Sequence, residues 1–247
     1  MIRLKRYFTP IKLNPSFVKD KTDEYKRTSK AVWNIDWLKE SLLHLSSYKC
    51  AYCECSLKEE SNYMEVDHFE DKNHNPHKVM LWENLIPSCK KCNGAKSDHD
   101  VITEPIINPF LDVPKDEIYF RLYHLKGKTA KGKNTEDVVN INHPTRAVIK
   151  RFEVGEGLNK LLEQAKDRLV NYNSNKIVRR KNKFLNIVED ILNECQPESI
   201  YSANCATILH SSLLYLEIKE YLKNENLWSE EMEQLHKRSL ETVLEMR

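Results

Sequence analysis

"VDHFEDKNHNPHKVMLWENLIPSCKKCNGAK", Val66 to Lys96, opens on an Asp-His couple and closes on a Cys-x-x-Cys pair. A second Cys-x-x-Cys, Cys50 and Cys53 in "YKCAYCECS", lies just upstream. Zinc in structural sites prefers four soft ligands in a tetrahedron, and each of two such knuckles supplies two thiolates from a tight turn. Cys50, Cys53, Cys89 and Cys92 are the expected quartet. Cys55 could replace a member of the first pair, although Cys-x-Cys is a less usual knuckle. The interval between the knuckles is longer than in a simple zinc ribbon, so a piece of structure containing Asp67 and His68 is looped out between them. "YMEVDHF" reads as one short strand, "NLIPSC" as a second, and "CKKCNGAKSDHD" as the start of a short helix.

The looped-out residues carry groups suited to phosphodiester hydrolysis. That reaction needs a deprotonated water, a cation at the phosphate and leaving oxygen, and neutralisation of developing charge. A histidine titrates near neutral pH and can take the water's proton. A carboxylate beside an amide oxygen makes a hard-oxygen seat for Mg²⁺, which keeps most of its own waters. Asp67, His68 and Asn93 supply these groups. Adjacent residues of a regular strand point to opposite faces, so Asp67 and His68 can share a site only if the strand ends or bends there.

The chain has 247 residues, 31% of them charged, and five glycines, which describes a protein with a real core and a helix-rich fold. No apolar run approaches the roughly 18 residues that span a bilayer, and the basic start lacks a secretory signal's apolar centre, so the chain is expected to be intracellular, in the cytoplasm, and free of the membrane. Five of the seven cysteines fall between Cys50 and Cys92, which in such a chain favours metal over disulfides. Thiol redox chemistry at Cys50 and Cys53 lacks the βαβ context it would need. Cys195 and Cys205 read as small buried apolar residues, and His44, His74, His77, His124, His143, His210 and His236 as surface or structural. The net charge of +2 does not announce a nucleic-acid binder. Two basic clusters, Lys126 to Lys133 and Lys176 to Lys183, could each meet phosphates or simply be solvated.

Three regions are expected: an extended arm over 1–28, a nuclease-like domain with the knuckles over 29–125, and a hairpin plus helices over 126–247. Val32, Ile35, Leu38, Leu42 and Leu45 give a helix from Ser29 to the first knuckle. "EIYFRLYHL" reads as strand running into a turn at Gly127 and Gly132, hence a hairpin with a lysine-rich tip. From Pro144 the pattern is helical, with Leu158, Leu161, Leu162, Ala165 and Leu169 on one face, Ile208 to Leu222 on another, and Ser229 capping a last helix.

The order Cys-x-x-Cys, Asp-His, Asn-Leu, Cys-x-x-Cys-Asn-x-x-Lys resembles the HNH endonuclease family. That resemblance implies an α+β fold whose ββα-metal core packs two strands and a helix around one divalent cation, Mg²⁺ or Mn²⁺, here with a structural Zn²⁺ at the Cys₄ site, an N-terminal helix and a mainly helical C-terminal region. It implies His68 as general base, Asp67 and Asn93 as metal ligands, Asn84 as the residue fixing the loop after the first strand, and Lys96 near the phosphate. Many HNH nucleases have histidine at the third position, which leaves Asp98 or His99 as substitutes for Asn93. "VDHFEDK", "LWENLIPSCKKCNGAK" and "IINPFLDVP" are similar to the PtuB-like HNH nuclease subunits of Septu-type and retron-associated anti-phage systems, over Met1 to about Ile141. The resemblance implies a nucleic-acid substrate, DNA before RNA, and an ABC or SMC-like ATPase partner. The C-terminal helices would then be a docking surface, a self-association surface or a plain core. The rival reading is a zinc-stabilised module that binds nucleic acid or protein without cutting.

Overall fold

The structure is a computed structural model that describes residues 1–58 and 63–247. Its first helix, α1 (Pro15–Thr28), starts at an Asn-Pro couple. Asn14 Oδ1 accepts from Phe17 N at 3.0 Å, and Pro15, which has no N–H to leave unpaired, occupies the first turn. The arm expected to run extended to Thr28 is therefore helical in its second half. Only Thr22 and Tyr25 of α1 are buried, too narrow a stripe to register as apolar periodicity. Ser29, the expected start of the next helix, instead ends this one in a left-handed conformation with φ 56°. Helix α2 (Asp36–Leu45) begins later and buries Leu38, Leu42 and Leu45.

Strand β1 (Met64–His68) pairs antiparallel with β2 (Leu85–Cys89), with Met64 opposite Cys89 and His68 opposite Leu85. Helix α3 (Lys90–Lys96) follows without a linker, because Cys89 ends β2 and also caps α3, its sulfur accepting from Cys92 N at 3.5 Å. The first knuckle is pinned to the same strand by Ala51 N donating to Pro87 O at 2.9 Å. The N-terminal arm covers the other end of β2: Arg6 Nη2 donates to Leu85 O at 2.5 Å, and the guanidinium lies 4.0 Å from the Phe110 ring centre.

After α4 (Pro114–Glu117) come strands β3 (Ile118–Arg121) and β4 (His124–Gly127), then α5 (Ala130–Val139). The turn between the strands is at Leu122 and Tyr123, with φ of 46° and 63°, and not at the glycines. Tyr123 is held there by its hydroxyl on Glu156 Oε1 at 2.8 Å and by edge contacts with Phe120 and Phe152. Gly132 serves close approach: a Cβ at that position would lie 2.0 Å from Glu117 O. The expected lysine-rich tip is the start of α5, capped by Thr129, and two of its four lysines are paired with acids, Lys126 with Glu136 and Lys131 with Asp112.

The rest is helical: α6 (Ile149–Ser174), α7 (Val178–Glu194), α8 (Ser202–Ser211), α9 (Leu213–Asn224) and α10 (Glu230–Leu240). The expected stripe from Leu158 to Leu169 packs into their core with Phe184, Ile191, Leu209 and Leu222. Cys195 and Cys205 are buried in it, and Ser229 caps α10 by accepting from Met232 N at 3.0 Å. The Ile208 to Leu222 face is divided between α8 and α9 at Ser212. Two compact units result, one of Met1–Ile118 with Leu125–His143, the other of Tyr119–His124 with Pro144–Arg247. The boundary expected at 126 thus falls inside the first unit. The fold is α+β, with a ββα core beside a cysteine cluster, helices before it and a helical C-terminal region.

Leu162, 2% exposed in the α6–α7 core, should lose about 2–5 kcal/mol of the second unit's stability on change to alanine. Val170→Ala, on the 60% exposed face of the same helix, should stay within about 0.5 kcal/mol. Urea unfolding followed by hydrogen exchange in α6 and α7 measures both.

Candidate active site

The four sulfurs of Cys50, Cys53, Cys89 and Cys92 all lie within 4.8 Å of one another, and those of Cys53 and Cys89 are 3.9 Å apart. A zinc–sulfur bond of about 2.3 Å sets the edge of a tetrahedron near 3.8 Å, so the spacing suits a bound ion. The chemistry agrees. Burial pushes the Cys50 thiol well up, and hydrogen bonding from Cys50 holds Cys53 well down and Cys89 down to about 4. Four buried thiols this close cannot all ionise without a cation among them. Cys55 lies beside them, hydrogen-bonded to Cys50, but outside the mutually close set.

Asn93 follows the last knuckle cysteine, so the cluster that anchors α3 also fixes its amide. Asn93 Nδ2 donates to Glu65 Oε2 at 2.8 Å. On the same face of β1, two residues on, Asp67 is 2% exposed and accepts from Tyr52 Oη at 2.6 Å and Lys96 Nζ at 3.0 Å. Burial, with Asp67 beside it, pushes the Tyr52 phenol well up and keeps it a donor. Lys96 also donates to His68 O at 2.7 Å, and its side chain has no exposure. Expected beside the phosphate, Lys96 is turned inward and uses its charge on Asp67.

His68 points the other way, as strand alternation requires. Its ring meets Trp33 edge-on with centres 4.5 Å apart, and Nε2 is 2.9 Å from Val79 O. A carbonyl only accepts, so Nε2 carries the hydrogen and Nδ1 keeps its lone pair. Burial pushes this imidazole down to about 4, outweighing the Val79 carbonyl and Asp67, which favour the charged form. Asn84 is buried: Oδ1 accepts from Glu70 N at 2.7 Å, and Nδ2 donates to Glu70 O at 3.0 Å and Lys78 O at 3.3 Å. It ties the segment after β1 to the start of β2 and does not border the cleft described next.

Although Asp67 and His68 face apart, both border one cleft of about 320 Å³ together with Asn93. This is possible because His68 ends β1, and β1 pairs only with β2 among the described residues, leaving its outer edge open. Trp33, Glu65, Lys39 and Lys72 complete the walls relevant to chemistry. Asp98 and His99, the alternative third ligands, do not border it, and the His99 ring bonds Glu104 O at 2.8 Å. Sequence reasoning missed Glu65, Tyr52, Trp33, Lys39 and Lys72. The period of two along β1 could have found Glu65. Trp33 comes from the link between α1 and α2, and nothing local marks it.

The HNH endonuclease family model matches residues 50–99, a span that holds the quartet, β1, β2 and α3. The Septu protein PtuB of Bacillus thuringiensis is 42% identical over 239 residues, covering 95% of this chain and 92% of that protein. No solved structure gives a significant match. The similarity extends through the helical unit as well as the ββα core, and the chain belongs to the PtuB family of Septu proteins, with an HNH endonuclease domain built on its cysteine knuckles.

Proposed function

We propose that the chain is a metal-dependent HNH endonuclease that hydrolyses phosphodiester bonds of nucleic acid, DNA in preference to RNA, as the effector of an anti-phage defence complex. The observation that carries this reading is His68: a neutral imidazole, its Nε2–H on the Val79 carbonyl, at a cleft shared with Asp67 and Asn93. In this reading Nδ1 takes a proton from water while the water oxygen bonds to phosphorus and the bond to the leaving ester oxygen breaks. The leaving oxygen takes a proton from solvent, and the imidazolium returns its own to solvent. Mg²⁺ or Mn²⁺ at Asp67 and Asn93 would supply charge neutralisation at the phosphate and leaving oxygen. The donor set suits such an ion. Each Asp67 oxygen accepts one hydrogen bond and has a second lone pair, and the Asn93 amide is held by Glu65 through nitrogen.

Lys39 and Lys72 are assigned to the substrate phosphate, Lys96 to orienting Asp67, and Asn84 to holding the loop that follows His68. Zn²⁺ is the ion proposed for the cysteine quartet. The partner proposed is an ABC or SMC-like ATPase subunit and the compartment the cytoplasm; no helix among the described residues is long and apolar enough to cross a membrane. The HNH match and the PtuB relative support the nuclease assignment.

With the ATPase partner present, His68→Ala should lower Mg²⁺-dependent cleavage of plasmid DNA by roughly 10² to 10⁴ while thermal unfolding still shows a folded chain. Cleavage at the wild-type rate, or cleavage indifferent to divalent ions, would return the site to the non-cutting binding module. The pH–rate profile provides a second check. A base whose pKa is lowered stays active to lower pH, so the acid limb should lie nearer 4 than the ordinary imidazole value of 6.5. Half-loss of activity close to 6.5 would contradict the buried, neutral state. For the quartet, Cys92→Ser should remove bound zinc and unfold the first unit, since such sites contribute on the order of 10 kcal/mol. Hydrogen-exchange protection in α6 to α10 should survive.

A further inference from the structure

Of the two basic clusters in the sequence, the one at the start of α5 has Lys126 and Lys131 on carboxylates and Lys128 on a backbone carbonyl, and the one around the start of α7 is less neutralised. Within it, among the described residues, only Lys176 has an acidic partner, Glu225 at 2.7 Å. Among the described residues Arg168, Arg180 and Lys183 have none, and with Asn171 they line a cleft of about 320 Å³ between α6 and α7. Among the described residues no carboxylate borders it. Asp167, next to Arg168 along α6, is turned about 100° away around the helix.

Both guanidinium groups are held in place by uncharged acceptors. Arg168 Nη1 donates to Lys183 O at 2.8 Å, and Arg180 Nη1 to Asn171 O at 2.8 Å and Ser174 Oγ at 2.9 Å. Each guanidinium has five N–H donors, so several on each remain for a ligand. The cluster is also costly where it stands. Arg179, Arg180 and Lys181 occupy the first turn of α7, which contains no acid and has no side-chain cap. Cations at the positive end of the helix dipole are destabilising, and an anion bound there would reverse the cost.

We propose that this cleft binds the phosphodiester backbone of nucleic acid as a site made wholly by the helical unit, in addition to the HNH cleft. Arg179 and Lys181 flank Arg180 in the first turn of α7 and, turned to either side of it around the helix, widen the basic surface beyond the cleft, which suits successive phosphates better than one isolated anion. Among the described residues no aromatic side chain borders the cleft, so it offers no stacking platform and grips the strand by charge without reading bases. The choice of nucleic acid among polyanions rests on the nuclease reading above.

The test uses the full-length chain with His68→Ala, so that DNA is bound without being cut. Anisotropy of a labelled random-sequence duplex is followed across a NaCl titration, with and without Lys183→Glu, and with Arg168→Gln/Arg180→Gln. Lys183→Glu is the decisive variant, because its exposed side chain makes no bond that folding needs; thermal melting checks this. Each lost phosphate contact should lower the slope of log Kd against log salt by about 1, and the double variant should bind roughly 10-fold or more weakly at low salt, whatever the sequence. Unchanged affinity and slope in the cleft variants, or no duplex binding by the parent chain at low salt, overturns the proposal. So does displacement by inorganic phosphate as effective as by unlabelled duplex, which would mark a single-anion pocket. Loss of ATPase-subunit binding with DNA affinity intact would mark a protein interface instead. The two readings separate cleanly: wild-type binding by the cleft variants beside lost cleavage on His68→Ala sinks only this one, and the converse sinks only the nuclease.

Discussion

Four sulfur atoms from two turns, the inner pair 36 residues apart in sequence, meet within 4.8 Å, and the cleft beside β1 depends on that meeting. The elements around it are too small to stand alone. Strands β1 and β2 have five residues each and α3 has seven, whereas a two-stranded hairpin is marginal in water and an isolated helix needs about 12–15 residues. An ion joining the knuckles would close the loop that contains β1 and fix the end of β2, the start of α3 and, one residue later, Asn93.

A second constraint carries this anchoring to the cleft. Removing one partner of a buried ion pair typically costs about 3–5 kcal/mol, because the other charge is left uncompensated. Asp67 and Lys96 form such a pair, both essentially without exposure. Tyr52, inside the first knuckle, gives the carboxylate a second hydrogen bond, and His68 O accepts a second one from the ammonium. Through these bonds the first knuckle, β1 and α3 hold one another at the residue before the imidazole. On the opposite face Trp33 and Val79 O set the ring's position and tautomer. The cleft is thus bordered by groups whose orientations are determined before any substrate arrives.

Much of this was legible in the sequence, and the reason is physical. Paired knuckles come at a fixed spacing, so the clustering of the four cysteines was readable, and the short strands between and beside them follow from apolar and β-branched residues around Val66 and Ile86. What failed to show depended on contacts distant in sequence or on backbone conformations of low propensity. Lys96 was assigned to the phosphate by the family resemblance alone; its burial depends on Asp67 and His68 O, 29 and 28 residues away in sequence. The Leu122–Tyr123 turn uses left-handed residues without glycine, so the nearby glycines misdirected the reading. Helix α1 was missed because its buried stripe is two residues wide, and Trp33 because only the tertiary fold brings it to His68.

The proposal that zinc joins the knuckles is tested most directly by X-ray absorption at the zinc edge of the purified 247-residue protein. It predicts one zinc per chain with four sulfur ligands at about 2.3 Å. Oxygen or nitrogen ligands in that sphere, or a folded and active protein that contains no metal at the cysteines, would contradict it.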